Sequence, residues 1–239
     1  MRRRLLVILF SLSGSPLAAQ LKDVTDQFAP SDRIRGRAGI QLEVVQPEGD
    51  FRRFVHDGVG VSGFVGAALD HHGQVTLGLG GGFVNYGRRT RTLPLSPTLP
   101  GLYVDLTTTN NIATFEVPLR VELTRGILRP YLMGSVGLAY FWTETSASGT
   151  SSAGDFASTT NYHDVTRNWT AGGGLALRVS NKRNPVSIDF GMRHVANGFV
   201  NYLNEDSIQD GGGGTTIISP IRTEANFTVY RLGVEVGIR

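Results

Sequence analysis

Residues 111–123, NIATFEVPLRVEL, alternate between apolar and polar side chains over their whole length. One set of alternate positions holds Ala113, Phe115, Val117, Leu119, Val121 and Leu123, and the other holds Thr114, Glu116, Arg120 and Glu122. Successive side chains of a β-strand point to opposite faces, so this period of two predicts a strand with one apolar face and one charged face. The number of segments with this pattern gives the number of strands in the predicted fold.

The same alternation recurs in seven other segments of the chain. It predicts strands near residues 35–46, 58–70, 74–86, 128–142, 165–179, 186–196 and 224–238, which makes eight strands in all. Short turns are predicted at 71–73, 124–126 and 181–185, and long connections at 88–110, 143–163 and 197–222. An even number of strands with alternating long and short connections is typical of an up-and-down transmembrane β-barrel. We therefore predict an all-β, eight-stranded antiparallel barrel over residues 35–239.

The first residues have the composition of an export signal. Arg2, Arg3 and Arg4 precede the apolar run 5–10, and small residues follow up to Ala19, a pattern typical of a secretory signal peptide. We predict a signal peptide at 1–19 and a flexible lead at 20–34. Removing the three arginines leaves 20 basic residues against 20 acidic ones, so the net charge of +3 is no argument for nucleic-acid binding.

The remaining composition restricts the chemistry. The chain has no cysteine, which excludes disulfides and thiolate sites, and its 31 glycines lack the period of collagen. The glycine runs 80–82 and 172–174 lie inside predicted strands with no helix after them. They therefore favour barrel curvature over phosphate binding.

The period of two alone does not show which face of the strands contacts solvent. In a soluble barrel the apolar face would point inward, and in a membrane barrel it would point toward lipid. Small side chains on the polar face and the presence of only two lysines, Lys22 and Lys182, favour the membrane arrangement, because the lumen of an eight-stranded barrel is narrow. The soluble periplasmic binding barrel is the alternative.

Charged residues on the polar face are nearly balanced in number. The predicted lumen network comprises Arg37, Glu43, Glu116, Arg120, Glu122, Arg129, Arg178, Asp189, Arg193, Arg231 and Glu235. Buried charges persist when they are paired, and arginine suits bidentate pairing with carboxylates. On the apolar face, Phe83, Tyr140, Trp142 and Trp169 lie near the long connections and predict an aromatic girdle at one membrane interface. Ordinary core packing is the alternative for these aromatics.

Together, the signal peptide, the eight alternating segments and the short turns resemble the small outer-membrane β-barrels of the OmpA transmembrane-domain type. The resemblance covers residues 35–239 and implies a Gram-negative outer-membrane location. It implies contact with outer-membrane lipid and lipopolysaccharide, insertion by the barrel-assembly machinery and no cofactor. A porin-like narrow channel for small solutes or ions remains an alternative.

Histidine and arginine residues supply the remaining candidate sites. The segment 193–198, RHVANG, faintly resembles the His-x-Ser-Asn motif of lipid A deacylases, with His194 as a weak catalytic candidate. Ala196 stands where that family has its serine nucleophile, so the hydrolase is only an alternative. Arg88, Arg89 and Arg91 form a basic cluster that we predict to contact lipopolysaccharide phosphates. The glycines 211–214 are predicted to tip a hairpin with arms at 199–203 and 215–218.

These observations favour a non-enzymatic membrane barrel without metal or cofactor. We expect a structural or surface-interaction role, with long outer loops facing the environment and available to an extracellular ligand. The channel, the outer-leaflet hydrolase and the soluble binding barrel stay open as alternatives at this point.

Overall fold

A computed structural model describes residues 34–94, 103–149, 155–180, 184–202, 208–210, 216–218 and 221–239. The predicted signal peptide, nearly all of the lead and the glycines 211–214 lie outside these ranges. Within the described residues, no helix is long and apolar enough to cross a membrane.

Strands account for most of the described chain. They are β1 (Gly36–Pro47), β2 (Gly58–Ala68), β3 (Val75–Pro94), β4 (Tyr103–Glu122), β5 (Leu128–Gly149), β6 (Asp155–Ser180), β7 (Val186–Asn197), β8 (Phe199–Tyr202), β9 (Ile208–Asp210), β10 (Thr216–Ile218), β11 (Ile221–Glu224) and β12 (Phe227–Ile238). One turn of 3-10 helix, Phe51–Arg53, lies between β1 and β2.

Eight of these strands close into a barrel in the order β1-β12-β7-β6-β5-β4-β3-β2. Every neighbouring pair is antiparallel, and β1 pairs with β12 along its whole length, from Gly36 opposite Ile238 to Pro47 opposite Phe227. This pairing leaves no open edge around the barrel. The predicted eight-stranded antiparallel barrel is confirmed.

Two of the predicted long loops are largely strand, which corrects the sequence interpretation of 88–110 and 143–163. β3 continues to Pro94, β4 starts at Tyr103, β5 continues to Gly149 and β6 starts at Asp155. Thr90 and Thr107 share a hydrogen bond of 3.0 Å across β3 and β4, as do Thr108 and Thr145 across β4 and β5. Polar side chains on both faces hide the period of two, whereas the backbone ladder and β-branched threonines maintain the sheet.

The pairing of the last long connection also differs from the prediction. β8 pairs with β11 rather than with 215–218, and β10 pairs with β9. Val200 and Tyr202 of β8 are buried in an apolar cluster, against which Ile221 of β11 packs. Burial of these side chains places residues 221–224 opposite β8. The turn residues in the sequence do not predict this pairing.

Candidate functional site in the barrel lumen

The barrel has its apolar side chains outside and its charged side chains inside. On β1, Leu42 has 68% of its surface exposed, whereas the adjacent Glu43 has 3%. The same inversion occurs on β4, where Phe115, Val117 and Leu119 are exposed and the alternate residues Glu116, Arg120 and Glu122 are buried. A soluble barrel requires the opposite arrangement, so the soluble alternative is contradicted. The chain folds as a transmembrane barrel of the outer-membrane type.

Six charged side chains meet in the lumen near the short turns, and we call them the short-turn cluster: Arg37, Arg120, Glu122, Arg129, Asp189 and Glu235. Arg37 donates to Glu235 Oε1 at 2.6 Å and to Glu122 Oε2 at 2.7 Å. Arg120 donates to the other oxygen of each carboxylate, at 2.6 Å to Glu235 and 3.0 Å to Glu122. Arg129 adds a 3.0 Å contact to Glu122. Glu122 and Glu235 therefore each accept hydrogen bonds from at least two guanidinium groups.

Tyr131 connects this cluster to a further arginine. Its hydroxyl donates to Asp189 Oδ1 at 2.9 Å and accepts from Arg231 Nη2 at 3.0 Å. The Arg120 guanidinium carbon lies 3.6 Å from the centre of the Tyr131 ring, which is cation–π geometry. Arg120 thus packs against the face of the Tyr131 ring, and Arg231 donates a hydrogen bond to its hydroxyl.

A second group of ion pairs lies closer to the middle of the strands, and we call it the central cluster: Glu43, Glu116 and Arg193. Arg193 donates to Glu116 at 2.7 Å and to Glu43 at 3.2 Å. Ser135 and Ser62 donate to the same two carboxylates, at 2.9 Å and 2.6 Å. Here one buried cation bridges two anions, each of which also accepts a hydroxyl hydrogen bond.

Of the predicted network, the structure brings nine side chains into these two clusters, with Arg231 linked through Tyr131. Arg178 is also buried on the inner side of the barrel. Period two places these residues on one face, but only the closed barrel shows which cations meet which anions.

The long-loop half of the lumen contains a cluster of buried apolar side chains, a feature that the sequence analysis missed. Phe51, on the connection between β1 and β2, is 0% exposed and points into the barrel. Its ring centre lies 5.1 Å from that of Tyr202, 5.7 Å from Tyr86 and 6.5 Å from Phe141. We call these four rings the aromatic plug. A usable signal existed: near the long loops the inward positions become apolar, as in Val44-Val45 and Tyr140-Phe141-Trp142.

Most of the predicted girdle residues lie together on the outer face. The Trp142 ring centre is 5.7 Å from that of Phe83 and 5.3 Å from that of Tyr140. Trp169 lies apart from this group and packs against His194 with centres 6.2 Å apart. Amphipathic rings at this position suit a membrane interface.

His194 also faces outward, at the long-loop end of β7. Its Nδ1 lies 3.3 Å from Glu48 Oε2, and the Thr228 hydroxyl hydrogen-bonds to the same carboxylate. Ala196, two residues further along the strand, supplies no hydroxyl. Among the residues that the structure describes, no group of three or more histidine or acidic side chains could hold a metal ion.

The basic cluster lies on the part of β3 that extends beyond Phe83 and the girdle. Arg88 and Arg91 are exposed and Arg89 is half-buried. Because successive residues of a strand point to opposite faces, Arg88 lies on the outer face, near the position that lipid headgroups would occupy, whereas Arg89 and Arg91 lie on the inner face of the sheet.

Comparison with known proteins gives similarity of fold only. No protein-family model matches the chain, and no curated protein matches it in sequence. Among solved structures, Neisserial surface protein A is 11% identical with a TM-score of 0.46, covering 85% of this chain and 97% of its own. A major outer membrane protein from Thermus thermophilus is 12% identical with a TM-score of 0.41, covering 84% and 98%. Ail, the attachment invasion locus protein of Yersinia pestis, is 13% identical with a TM-score of 0.38, covering 86% and 98%. The assignment to transmembrane barrels rests on the closed sheet and its inverted burial.

Proposed function

We propose that this chain is an integral outer-membrane protein whose barrel does not conduct and whose role is structural or surface-interacting. The observation that carries the proposal is the filled lumen. In an eight-stranded barrel the interior is just wide enough for side chains. Here two clusters of ion pairs and the aromatic plug occupy successive levels of it.

The ion pairs and the aromatic plug lie one after the other along the lumen, and this arrangement argues against the narrow channel. A solute crossing from the short-turn end would have to separate Arg37 and Arg120 from Glu122 and Glu235, which lie at 2.6–3.0 Å. It would then meet Phe51 and Tyr202, which exclude water. Breaking buried pairs leaves uncompensated charge in a low-dielectric interior and is strongly unfavourable.

The extended strands support an interaction role outside the membrane. β3, β4, β5 and β6 continue past the aromatic girdle as a four-stranded sheet rich in threonine and serine. Thr92 donates to Asp105 at 2.6 Å near the outer end of the β3–β4 ladder. A hydrogen-bonded polar sheet is a firmer platform for an extracellular ligand than a loop of the same length would be.

Lipopolysaccharide is the membrane partner that the basic cluster suits. Arg88 is exposed on the outer face where β3 leaves the girdle, and guanidinium groups bind phosphate in a bidentate manner. We expect the Arg88→Gln variant to bind lipopolysaccharide vesicles more weakly and with a smaller salt dependence. The control Arg125→Gln removes an exposed arginine at the short-turn end and should bind as the parent does. Equal binding by all three proteins would contradict this contact.

Two measurements test the proposal as a whole. Membrane fractionation with gel migration before and after heating should show a membrane-bound, heat-modifiable band; a protein that stays in the aqueous fraction would refute it. Planar bilayers containing the refolded barrel should show no steps above background, because the lumen is filled. Steady single-channel conductance would favour the narrow channel instead.

A further inference from the structure

The outer face of the barrel has a shallow groove where two glycines lie side by side. Gly63 of β2 is directly opposite Gly81 of β3. The same row continues to Ile40 of β1 on one side and to Phe115 of β4 on the other, and both of these side chains are exposed. The groove has a volume of about 660 Å³, and its other exposed apolar lining residues are Val61, Val65, Leu79 and Phe83.

The packing of the barrel wall does not require these two glycines. A Cβ atom would lie 3.4 Å from its nearest neighbour on another strand at Gly63 and 3.3 Å at Gly81. At the inward-facing Gly78, by contrast, a Cβ atom would lie only 2.4 Å from a carbonyl oxygen. The wall needs glycine where strands approach closely, whereas the two outer glycines leave space that side chains could occupy.

Acyl chains surround this groove, because the exposed apolar face of a transmembrane barrel meets lipid. Lipid tails are as apolar as the side chains, so the attraction comes from close packing rather than from the removal of apolar surface from water. A gap in the surface forfeits dispersion contacts unless a chain fits into it. A chain lying between Ile40 and Phe115 would contact the floor and both walls of the groove, and so would pack better than a chain on a flat part of the barrel.

The position of the groove selects the outer leaflet. The groove extends along β3 from Leu79 to Phe83, and the Phe83 ring centre lies 5.7 Å from that of Trp142 in the aromatic girdle. Aromatic girdles mark the level of the lipid headgroups, and the long loops of such barrels are extracellular. A chain in the groove therefore belongs to a lipid whose headgroup lies at the girdle, on the long-loop side.

Polar side chains continue the same face beyond the groove. Asn85, two residues after Phe83, donates to Asn111 at 2.9 Å, and Asn111 is opposite Trp142 in the register of β4 and β5. Arg88 follows on the same face and is exposed. Amides supply the donors and acceptors that sugar hydroxyl groups need, and guanidinium groups bind phosphate. Toward the outside, β3 thus presents an apolar groove, an aromatic and amide level, and a cation.

We propose that this face of β2, β3 and β4 binds one lipopolysaccharide molecule, with one of its acyl chains in the groove. Its lipid A part is an acylated and phosphorylated sugar, and the groups along β3 follow the same order of chain, sugar and phosphate. A phospholipid has the chain and the phosphate but no sugar for Asn85 and Asn111. The inference rests on the proposed contact between Arg88 and lipopolysaccharide, and it adds the acyl chain below that contact.

Native mass spectrometry of the refolded barrel in detergent measures this binding. The parent barrel should take up one molecule of purified lipid A at saturation and should retain phosphatidylglycerol more weakly. The Gly63→Leu/Gly81→Leu double variant fills the groove with side chains, so it should stay heat-modifiable and bind lipid A about three- to tenfold more weakly, the scale of packing contacts within a bilayer. The matched control Gly134→Leu changes an outer-face glycine of β5 whose Cβ neighbour would also be 3.4 Å away, and it should bind as the parent does.

The Arg88→Gln variant separates this inference from the proposed phosphate contact. If Arg88→Gln weakens lipid A binding and the double leucine variant does not, the acyl-chain site is wrong and the phosphate contact stands. If only the double leucine variant weakens binding, the acyl-chain site stands and the phosphate contact is wrong. Equal retention of lipid A and phosphatidylglycerol would overturn the assignment to a sugar-bearing lipid.

Photo-crosslinking tests the site in the parent barrel, so it still decides if the double leucine variant does not fold. A lipid A analogue with a diazirine near the end of one acyl chain should label residues 61–65 and 79–83 in preference to the rest of the outer face. Labelling spread evenly around the barrel, as bulk lipid would give, would overturn the proposal. Mass spectra in which filling the groove removes barrel dimers, rather than bound lipid A, would overturn it as well.

Discussion

Arg37 on β1 and Glu122 on β4 are 85 residues apart in the chain, and their side chains meet inside the barrel at 2.7 Å. β1 and β4 are not neighbours in the sheet, because β2 and β3 lie between them. This ion pair therefore crosses the lumen rather than following the wall. Pairs of this kind tie opposite sides of the barrel together, which is why the interior, and not only the strand ladder, stabilises the fold.

Neutralising Glu122 tests how much these cross-lumen pairs contribute. Glu122→Gln keeps the shape of the side chain but leaves Arg37, Arg120 and Arg129 with less compensating charge. We expect the free energy of unfolding to fall by about 3–5 kcal/mol, the usual cost of removing one partner of a buried pair. Urea unfolding of the refolded barrel in detergent measures it. Glu224→Gln, at an exposed glutamate on β11, is the control and should change little.

Truncating Phe51 tests the aromatic plug. Phe51→Ala removes the ring that contacts Tyr202, Tyr86 and Phe141, and should cost about 3–5 kcal/mol in thermal or urea unfolding. Phe54→Ala, three residues along the same connection but exposed, should cost far less. If both variants unfold alike, Phe51 does not anchor the outer half of the lumen. Because the charged clusters remain, Phe51→Ala should still show no conductance in planar bilayers.

Gly174 is predicted to be essential for the position of Tyr131. A Cβ atom at residue 174 would lie 2.2 Å from the Phe190 carbonyl oxygen and 2.4 Å from the Tyr131 hydroxyl. Gly174→Ala should therefore reduce the yield of heat-modifiable, folded barrel. Gly134→Ala is the matched control, since its nearest neighbour would be 3.4 Å away. Equal folding yields from the two variants would show that the wall adapts more readily than these distances imply.

The stabilisation that Asp70 gives to the turn between β2 and β3 depends on pH. Its carboxylate accepts from the backbone N–H groups of Val75 at 2.7 Å and His72 at 3.0 Å. Slight burial acts to raise the pKa of Asp70, but these hydrogen bonds lower it below the ordinary value of 3.8. A lowered folded-state pKa means that the stabilisation is present above 3.8 and is lost as the pH falls through the folded value.

We therefore expect the difference in unfolding free energy between the parent barrel and Asp70→Ala to shrink as the pH is lowered below 3.8. Denaturant unfolding at a series of pH values measures that difference. Asp57→Ala, at an exposed aspartate before β2, is the control. A difference that grows toward low pH would contradict the assigned role of Asp70.

Strand positions and faces were predictable from the sequence because lipid and lumen impose different requirements on alternate residues. Leu42 and Glu43 illustrate this, since the pattern alone placed them on opposite faces. The ends of the strands were not predictable in the same way. Residues 88–92 and 107–110 are polar on both sides, so their pairing rests on backbone hydrogen bonds that leave no period in the sequence.

Contacts inside the lumen were less accessible to sequence reasoning than the faces. Phe51 is on a connection, and its burial depends on how that connection folds back over the barrel. Arg231 and Glu43 are opposite each other in the register, yet Glu43 pairs with Arg193 from β7. Strand tilt and the space left by glycines decide such choices, and these depend on the closed barrel as a whole.

The most direct test of the account is a lipid-contact scan with single cysteines, which the absence of native cysteine makes straightforward. Cysteine would replace Val117, Val136 and Leu232 on the outer face and Thr76 and Thr114, which border free space in the lumen, on the inner face, each carrying a nitroxide label in the barrel refolded into vesicles. We predict high accessibility to membrane-dissolved oxygen and low accessibility to a water-soluble nickel reagent at the three outer positions, and low accessibility to both at the inner ones. Outer labels that collide mainly with the nickel reagent would contradict a barrel whose apolar face meets lipid.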